Sequence, residues 1–421
     1  MERKWWIFIA VGVGSFMSAI GVSVVNIVLP IVSQDFGVDV STIEWVITVY
    51  LLIVSGLLLS FGRLGDLRGH KVVTVWGFAV FTLASPLCGL SSNEFALIAA
   101  RALQAFGAAM IFSNTPALLT KNFPANQRGQ VLGLQSMATY LGLTVGPSLG
   151  GWLTMQFSWR AVFFINLPIG LLALWLSMRF IPRDAPVEQP EPFDLIGAAL
   201  FMIGLVVLLL ALNQGYAWGW TSPIILTMLI AALVIFAVFL LIEQRAASPM
   251  LDLSLFRQRL FSAATASAVA NYICMYSILF LMPFYLIQAR GFDPAQAGVL
   301  LTAQPLLMAI SAPLSGILSD KIGSRLLGTL GMAILAFGAF LLSRLGPVSS
   351  SADVALALAV VGLGTGIFIS PNSSALMGAA PAARHRRECS GDGAQRRNGV
   401  GRRTGGRNLF DGASATWQSD L

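Results

Sequence analysis

Apolar runs of about 20 residues, separated by short polar turns, follow one another along most of this chain. A run of that length spans the hydrocarbon core of a bilayer as a helix, so each predicts a membrane-spanning helix. The short turns make sequential helices antiparallel neighbours. We predict twelve spans, at about 5–32, 43–62, 72–92, 95–119, 131–155, 160–181, 194–213, 222–243, 260–289, 296–319, 325–345 and 352–378.

Composition agrees with this pattern. Of the 421 residues, 56% are hydrophobic and 11% are charged, whereas soluble domains carry about 25% charged residues. The first apolar run is about twice as long as that of a signal peptide, so we expect a retained span. Cys88, Cys274 and Cys389 are scattered and predict neither a disulfide framework nor a metal site. No phosphate-binding loop and no nucleophile–base pair stands out, so we expect no enzyme, no catalytic residue, no metal and no cofactor.

One charged segment occurs twice. "GRLGDLRGHK" at 62–71 returns in weaker form as "GILSDKIGSR" at 316–325, which is 254 residues further on. Two related halves of membrane helices are typical of secondary transporters. An acid facing a helix start, held ionised by nearby cations, could lock helices together and release them. The alternative is a solvated charged loop. The switch candidates are Gly62, Arg63, Asp66, Arg68, Gly69 and Lys71, with Gly316, Asp320, Gly323 and Arg325 in the second copy.

The repeat also predicts the domain order. The first copy follows the second span and its partner follows the tenth, so two spans are inserted between the halves. A second echo, "SNTPALL" at 113–119 and "PNSSALM" at 371–377, supports this register. We expect a first six-helix bundle at 1–181, a cytoplasmic Pro-rich linker at 182–193, two inserted spans at 194–243, four of six spans of the second bundle at 244–380, and a disordered basic tail at 381–421.

The tail changes composition abruptly, and Arg and Gly dominate it. We interpret it as a frameshifted segment that replaces the last two spans. The alternatives are a natural disordered tail or an RGG-like RNA-binding segment. The charge of the remaining chain gives no reason to expect a nucleic-acid partner.

Lys and Arg residues predict the orientation. With a cytoplasmic N-terminus, fourteen fall in inner loops and three in outer loops, which satisfies the positive-inside rule. Both charged turns and both termini then face the cytoplasm.

Several polar residues interrupt the spans. Arg101 is costly in hydrocarbon and should face the bundle interior or a wet cavity, with Gln104 beside it on the same helix. Gly142, Gly146, Gly150 and Gly151 surround Pro147 in the fifth span, which predicts a close helix contact and a bend, or only a packing face. Candidates for lining a substrate cavity, each open to an ordinary packing role, are Asn26, Tyr50, Asn114, Tyr140, Asn271, Tyr272, Tyr276 and Gln304.

Together these motifs resemble the major facilitator superfamily, specifically its drug:proton antiporters with fourteen spans. "GRLGDLRGHK" is similar to the family's loop motif, Arg101 and Gln104 to its span-four motif, and "GLTVGPSLGG" at 142–151 to its antiporter motif. "VVNIVLP" at 24–30 and "WRAVFFINLPIG" at 159–170 also resemble family segments. The resemblance implies an all-α transporter of two pseudo-twofold-related bundles in the bacterial inner membrane.

The resemblance further implies a monomer that exports lipophilic or cationic drugs against protons by alternating access. Arg101 and Gln104 would assist proton coupling. This chain departs from the family at Gly21, where an acid is common, at Ala105, where the span-four motif usually has Gly, and in lacking the last two spans. A facilitator or importer of a small metabolite, or an inactive truncated remnant, are the alternatives.

Overall fold

Long α-helices form the regular structure of the part of the chain that the computed structural model describes, which is residues 2–184, 193–245, 251, 253–292, 294–346 and 349–400. Side chains are described for these residues except 26, 27, 40, 41, 280, 294, 295 and 379–400. We number the twelve long helices in chain order. They are α1 Arg3–Phe36, α2 Trp45–Arg68, α3 His70–Gly89, α4 Glu94–Asn122, α5 Arg128–Gln156, α6 Asn166–Phe180, α7 Leu195–Trp218, α8 Pro223–Glu243, α9 Arg259–Phe284, α10 Ala303–Ile322, α11 Ser324–Ser343 and α12 Ser351–Val400.

Short elements precede or extend some of these helices. They are Val40–Ile43 before α2, the 3-10 turn Ala125–Gln127 before α5, Ala161–Phe164 before α6, the 3-10 turn Leu253–Arg257 before α9, the π-helical turn Tyr285–Ala289 after α9, and Pro294–Leu301 before α10. The twelve predicted spans correspond one to one to the twelve long helices. Their ends differ by several residues, because hydropathy does not register helical turns that continue into water.

Eleven helical stretches within the described residues are long and apolar enough to cross a membrane. The exception is α5, although it has 29 residues. Glycine, serine, threonine and glutamine dilute its apolar residues. Its apolar run is nevertheless long enough to predict a span at about 131–155.

The largest correction concerns the two charged segments, which we expected to be short charged turns between spans. Instead α2 stays helical through Arg68 and α10 through Ile322, and each turn is a single glycine. Gly69 has φ 96° and Gly323 has φ 87°, a region that side chains with a Cβ rarely adopt. Each glycine ends one helix and begins the next, so the charged residues are held on helical turns.

The first bundle is built from α1 to α6. α1 packs against α5 and α6, α3 against α4 and α6, and α2 against α4. Its apolar core includes Val28 and Phe163 toward one end, and Phe78 and Ile111 near the middle. At that first end the Asp35 carboxylate accepts a hydrogen bond from the Trp159 indole at 2.9 Å and pairs with Arg160 at 3.1 Å. These two partners hold the pKa of Asp35 below its ordinary value.

Helices α7 and α8 pack against each other, and α7 also packs against α2, where Met202 contacts Gly56. In the second half, α10 and α11 both meet α12 at glycines. Gly362 lies on the Gln304 backbone and Gly331 on the Phe368 backbone. The principal contact between the halves is α5 against α10.

The chain divides into two compact units, Met1–Met377 and Gly378–Leu421. The backbone of 381–400 is helical, which differs from the disordered tail predicted there. Alanine and arginine in this stretch are good helix formers. Most of the predicted linker, at 185–192, and the end of the tail, at 401–421, lie outside the described residues.

Candidate functional site

The second copy of the charged motif joins the two halves. Asp320, on the last turn of α10, receives hydrogen bonds from the first backbone amides of α5. The Gly129 amide donates to Oδ1 and the Gln130 amide to Oδ2, both at 2.8 Å. These amides lack partners within their own helix, and the positive end of the helix dipole favours the carboxylate. The second copy therefore caps a helix of the opposite half.

Close backbone packing surrounds this cap. A Cβ on Gly316 would lie 2.2 Å from the Gly129 carbonyl oxygen, and a Cβ on Gly133 would lie 2.5 Å from the Ala312 carbonyl oxygen. Ser370 of α12, which is buried, donates its hydroxyl to the Gly129 carbonyl at 2.7 Å. Glycines on both helices thus bring α5 and α10 close enough for Asp320 to reach the helix start.

The first copy makes its contacts within its own bundle. The Oδ1 atom of Asp66 lies 3.4 Å from Nε2 of His70, one turn along the chain. The other ring nitrogen of His70, Nδ1, lies 2.7 Å from Oδ1 of Asn114 on α4. Space for this pair comes from Gly65, because a Cβ there would lie 1.8 Å from the Asn114 oxygen. Gly62 needs no such space, since its Cβ would be 3.9 Å from the nearest described atom.

Beside the first copy lies a cavity of about 790 Å³. Asp184, from the segment after α6, accepts a hydrogen bond from the Lys71 amide at 3.1 Å and pairs with Lys121 at 3.6 Å. The Lys71 ammonium donates to two carbonyls near the end of α6, at 3.0 and 2.6 Å. Charged residues lining the cavity are Asp66, Arg68, Lys71, Lys121, Arg183 and Asp184.

Both copies lie on the same side of the helix bundle. The end of α4, at Lys121, is joined through Asp184 to the first copy. One short turn later the start of α5 holds Asp320 of the second copy. We call this the loop-motif side. Through these contacts Asp66 and Asp320 both belong to the loop-motif side.

Arg101 lies inside the first bundle and is 1% exposed. Its guanidinium donates to Oε1 of Gln104 at 2.6 Å and, at 3.4 Å, to the carbonyls of Gly21 and Val46. It also stacks 4.2 Å above the ring of Tyr50. Gln104 in turn donates to Ser85 at 2.7 Å. Among the described residues no carboxylate pairs with Arg101, so carbonyls and an aromatic ring neutralise its charge only in part.

The glycine stripe of the fifth span packs against α1. Cβ atoms at Gly142, Gly146 and Gly150 would meet Ala19, Ser23 and Val24, respectively, at 3.1 Å or less. Gly151 differs, because a Cβ there meets nothing within 4 Å among the described atoms. Pro147 lies inside the helix. Three of the four glycines therefore serve one close helix contact, and Gly151 is not part of it.

The cavity candidates separate into groups. Tyr50 packs under the Arg101 guanidinium, and Asn114 is hydrogen-bonded to the buried His70 imidazole. Both therefore lie inside the first bundle and not between the halves. Asn271 is buried, with Nδ2 3.9 Å from the Met332 sulfur inside the second half. Gln304 is buried where α10 meets α12. The side chain of Asn26 lies outside the described ones.

Three tyrosines lie on helices α5 and α9, which are in contact where the halves meet. Tyr140 of α5 packs with Met308 and Ala309 of α10 and with Met275 of α9. The rings of Tyr272 and Tyr276, on the same helix α9, stack at 6.5 Å. This tyrosine cluster contributes aromatic faces, hydroxyls and thioethers to the junction of the halves.

Sequence reasoning missed four residues that complete these arrangements: Gly65, His70, Asp184 and Ser370. His70 belongs to a polar segment of the sequence, yet the structure buries it to 2% exposure. Its position directly after the turn glycine is the signal that could have drawn attention to it. Nothing in the sequence relates Asp184 or Ser370 to helices more than a hundred residues away.

These features describe a polytopic helical membrane protein whose two halves are in contact through α5 and α10. The chain matches the profile described as "Major Facilitator Superfamily" over residues 11–194 and 195–387. It belongs to this family and is a multi-pass membrane transporter.

Curated relatives agree with this assignment. The chain is 36% identical over 386 residues to the riboflavin transporter RibZ of Clostridioides difficile, covering 90% of this chain and 82% of that protein. It is 33% identical to the multidrug resistance protein Stp of Mycobacterium tuberculosis, covering 89% and 70%. It is 32% identical to the tetracenomycin C resistance and export protein of Streptomyces glaucescens, covering 90% and 71%.

Solved structures share the fold. The human organic anion transporter MFSD10 superposes with a TM-score of 0.62 at 17% identity, covering 89% of this chain and 87% of that one. The proton:xylose symporter XylE superposes with a TM-score of 0.59 at 13% identity, covering 90% and 86%. The predicted fold of a two-bundle transporter is confirmed.

Proposed function

We propose that this chain is a proton-coupled efflux antiporter for lipophilic or cationic small molecules, working by alternating access. The observation that carries the proposal is the Asp320 cap on α5. It joins the two halves through two hydrogen bonds from a helix start, and such a contact can break and re-form as the halves rock.

The orientation comes from the distribution of Lys and Arg. With fourteen on one side and three on the other, the loop-motif side faces the cytoplasm. The Asp320 cap then closes the cytoplasmic side of the path between the halves. Its release would open that side for substrate loading.

The names of the relatives favour export. One relative is named a multidrug resistance protein, and another is named a resistance and export protein. The tyrosine cluster supports an aromatic or lipophilic substrate, because ring faces and thioethers bind such molecules without requiring a fixed charge. We place the substrate near this cluster, where the halves meet.

Arg101 is our candidate for assisting proton exchange. Arg101 is buried among carbonyls, and no carboxylate of the described residues pairs with it. Such a cation favours the deprotonated form of nearby acids over the protonated form. One proton moving inward through 100 mV contributes about 2.3 kcal/mol. That sustains a gradient of roughly fiftyfold in a neutral substrate.

The test uses inverted membrane vesicles energised with a pH gradient. Substrate addition should collapse the gradient for the full chain, and Arg101→Ala should abolish the collapse. Arg344→Ala, which removes an exposed cation at the end of α11, is the matched control and should leave transport unchanged. Undiminished proton–substrate exchange in Arg101→Ala would contradict the role of Arg101.

A second function is favoured by one observation, the 36% identity to a protein named as a riboflavin transporter. Facilitated movement or import of a small metabolite is possible on the same scaffold. Accumulation measured with and without an uncoupler separates the two functions. Export driven by protons stops with the uncoupler, whereas facilitated equilibration continues.

A further inference from the structure

We propose that His70 and Asp66 together form a proton-binding site on the loop-motif side of the first bundle. The proposal does not depend on the substrate or on the direction of transport. It rests on the hydrogen bonds that fix which ring nitrogen of His70 carries a hydrogen.

The amide of Asn114 has a defined orientation. Its Nδ2 atom donates to the carbonyls of Phe61 at 3.1 Å and Met110 at 2.9 Å, and lies 2.9 Å from the Ser113 hydroxyl. Oδ1 is therefore the atom that faces His70, and an amide oxygen can only accept. The 2.7 Å contact consequently requires the hydrogen on Nδ1 of His70.

That requirement determines the state of the other nitrogen. In a neutral ring with hydrogen on Nδ1, Nε2 presents a lone pair, and this lone pair would face Oδ1 of Asp66 at 3.4 Å. Two facing lone pairs repel each other. A single proton, on the ring or on the carboxyl, turns this repulsion into an attraction. The pair is thus built to hold one exchangeable proton.

Burial and access support this role. His70 is 2% exposed, and Nε2 has no other hydrogen-bond partner within the described residues. The side chain of Asp66 is 38% exposed and lines the cavity of about 790 Å³. A proton can therefore reach the carboxyl from solvent and pass to the buried ring behind it. Histidine is also the side chain whose ordinary titration falls nearest neutral pH.

No other charged group described around His70 takes the place of Asp66 opposite Nε2. Asp184 is the other nearby acid, but it lies beside Gly69 and bonds to Lys121 and the Lys71 amide, away from Nε2. α4 presents the neutral Asn114 to the ring. The charged groups on the elements around His70 are Arg63, Asp66 and Arg68 of α2, Lys71 of α3, Lys121 of α4, and Arg183 and Asp184 after α6.

Nitrogen-15 NMR on the full chain in lipid nanodiscs tests the site. The chain has two histidines, His70 and His385, so His385→Gln leaves His70 as the only labelled ring. We expect Nδ1 to carry a hydrogen in every spectrum of a pH series, and Nε2 to share its proton with the Asp66 carboxyl. Asp66→Asn should weaken proton binding at Nε2 about tenfold, because it removes the facing carboxylate.

Asp184→Asn is the matched control, because it removes an equal charge that does not face Nε2. It should weaken proton binding at Nε2 of His70 by less than about threefold, against about tenfold for Asp66→Asn. A neutral ring with its hydrogen on Nε2 would overturn the proposal. So would an Nε2 profile that Asp66→Asn leaves unchanged, or that Asp184→Asn shifts equally.

Discussion

The two copies of the charged motif have the same backbone conformation, but their aspartates bind different partners. Each places an aspartate on the last helical turn and ends it with a glycine of positive φ. Asp320 caps a helix of the opposite half. Asp66 lies against His70 of its own bundle. The motif therefore fixes where the carboxylate stands, and the neighbouring helices decide what it does.

The glycines show the same difference. Gly316 begins the second copy and lies against the α5 backbone, while Gly62, its counterpart, has ordinary space around it. Conversely, Gly65 is crowded by His70 and Asn114, while its counterpart in the second copy is Ser319. Each copy keeps the glycine that its own contact requires, so one consensus pattern serves two distinct packing arrangements.

The largest effect is expected at the cap. Asp320→Ala removes two charge-assisted hydrogen bonds and the favourable helix-end charge, about 3 kcal/mol of the closed arrangement. Spin labels at Asn126→Cys and Lys321→Cys, with the native cysteines replaced, should report a longer and broader distance between α5 and α10.

Asp66→Ala is the matched control for this measurement, because the contact of Asp66 with His70 lies within the first bundle. It should leave that distance distribution close to that of the parent. Equal broadening in both variants would mean that the two copies are equivalent after all.

Gly316→Ala should come next. Its Cβ would lie 2.2 Å from the Gly129 carbonyl oxygen, so the two helices must separate, at a cost of about 2 kcal/mol. We expect a lower thermal midpoint in detergent. Gly62→Ala has 3.9 Å of space and should leave the midpoint unchanged or slightly raised. A reversed order would show that the close α5–α10 contact is not required for stability.

The apolar runs were enough to locate all twelve long helices, including α5, which is the least clearly apolar of them. The ends could not be predicted, because Arg63 and Arg68 stay helical where the chain leaves the apolar layer. The repeat identified Asp66 and Asp320 but not their different partners. Those partners come from helices far apart in sequence, and no local pattern relates Asp320 to Gly129 or His70 to Asn114.

A smaller effect is expected when the copies exchange residues at one position. Gly65→Ser introduces the residue of the second copy into the space that Asn114 and His70 occupy. We expect the Asn114–His70 hydrogen bond to break, at a cost of about 1–2 kcal/mol. In the single-histidine chain, the Nδ1 resonance should lose its fixed protonation. The reverse change, Ser319→Gly, removes one hydroxymethyl group and should not alter the His70 spectrum.

The smallest effect concerns the segment after α6, which contacts the first copy of the motif and, among the described contacts, not the second. Asp184→Asn removes the partner of Lys121 and weakens the acceptor for the Lys71 amide. Because the Lys121 side chain is 54% exposed, its ion pair contributes well under 1 kcal/mol. We expect faster proteolysis between α6 and α7, and a smaller difference from the parent at high salt, where the pair is already screened. A proteolysis rate equal to that of the parent at low salt would mean that the Lys71 carbonyl contacts alone hold this segment against the first copy.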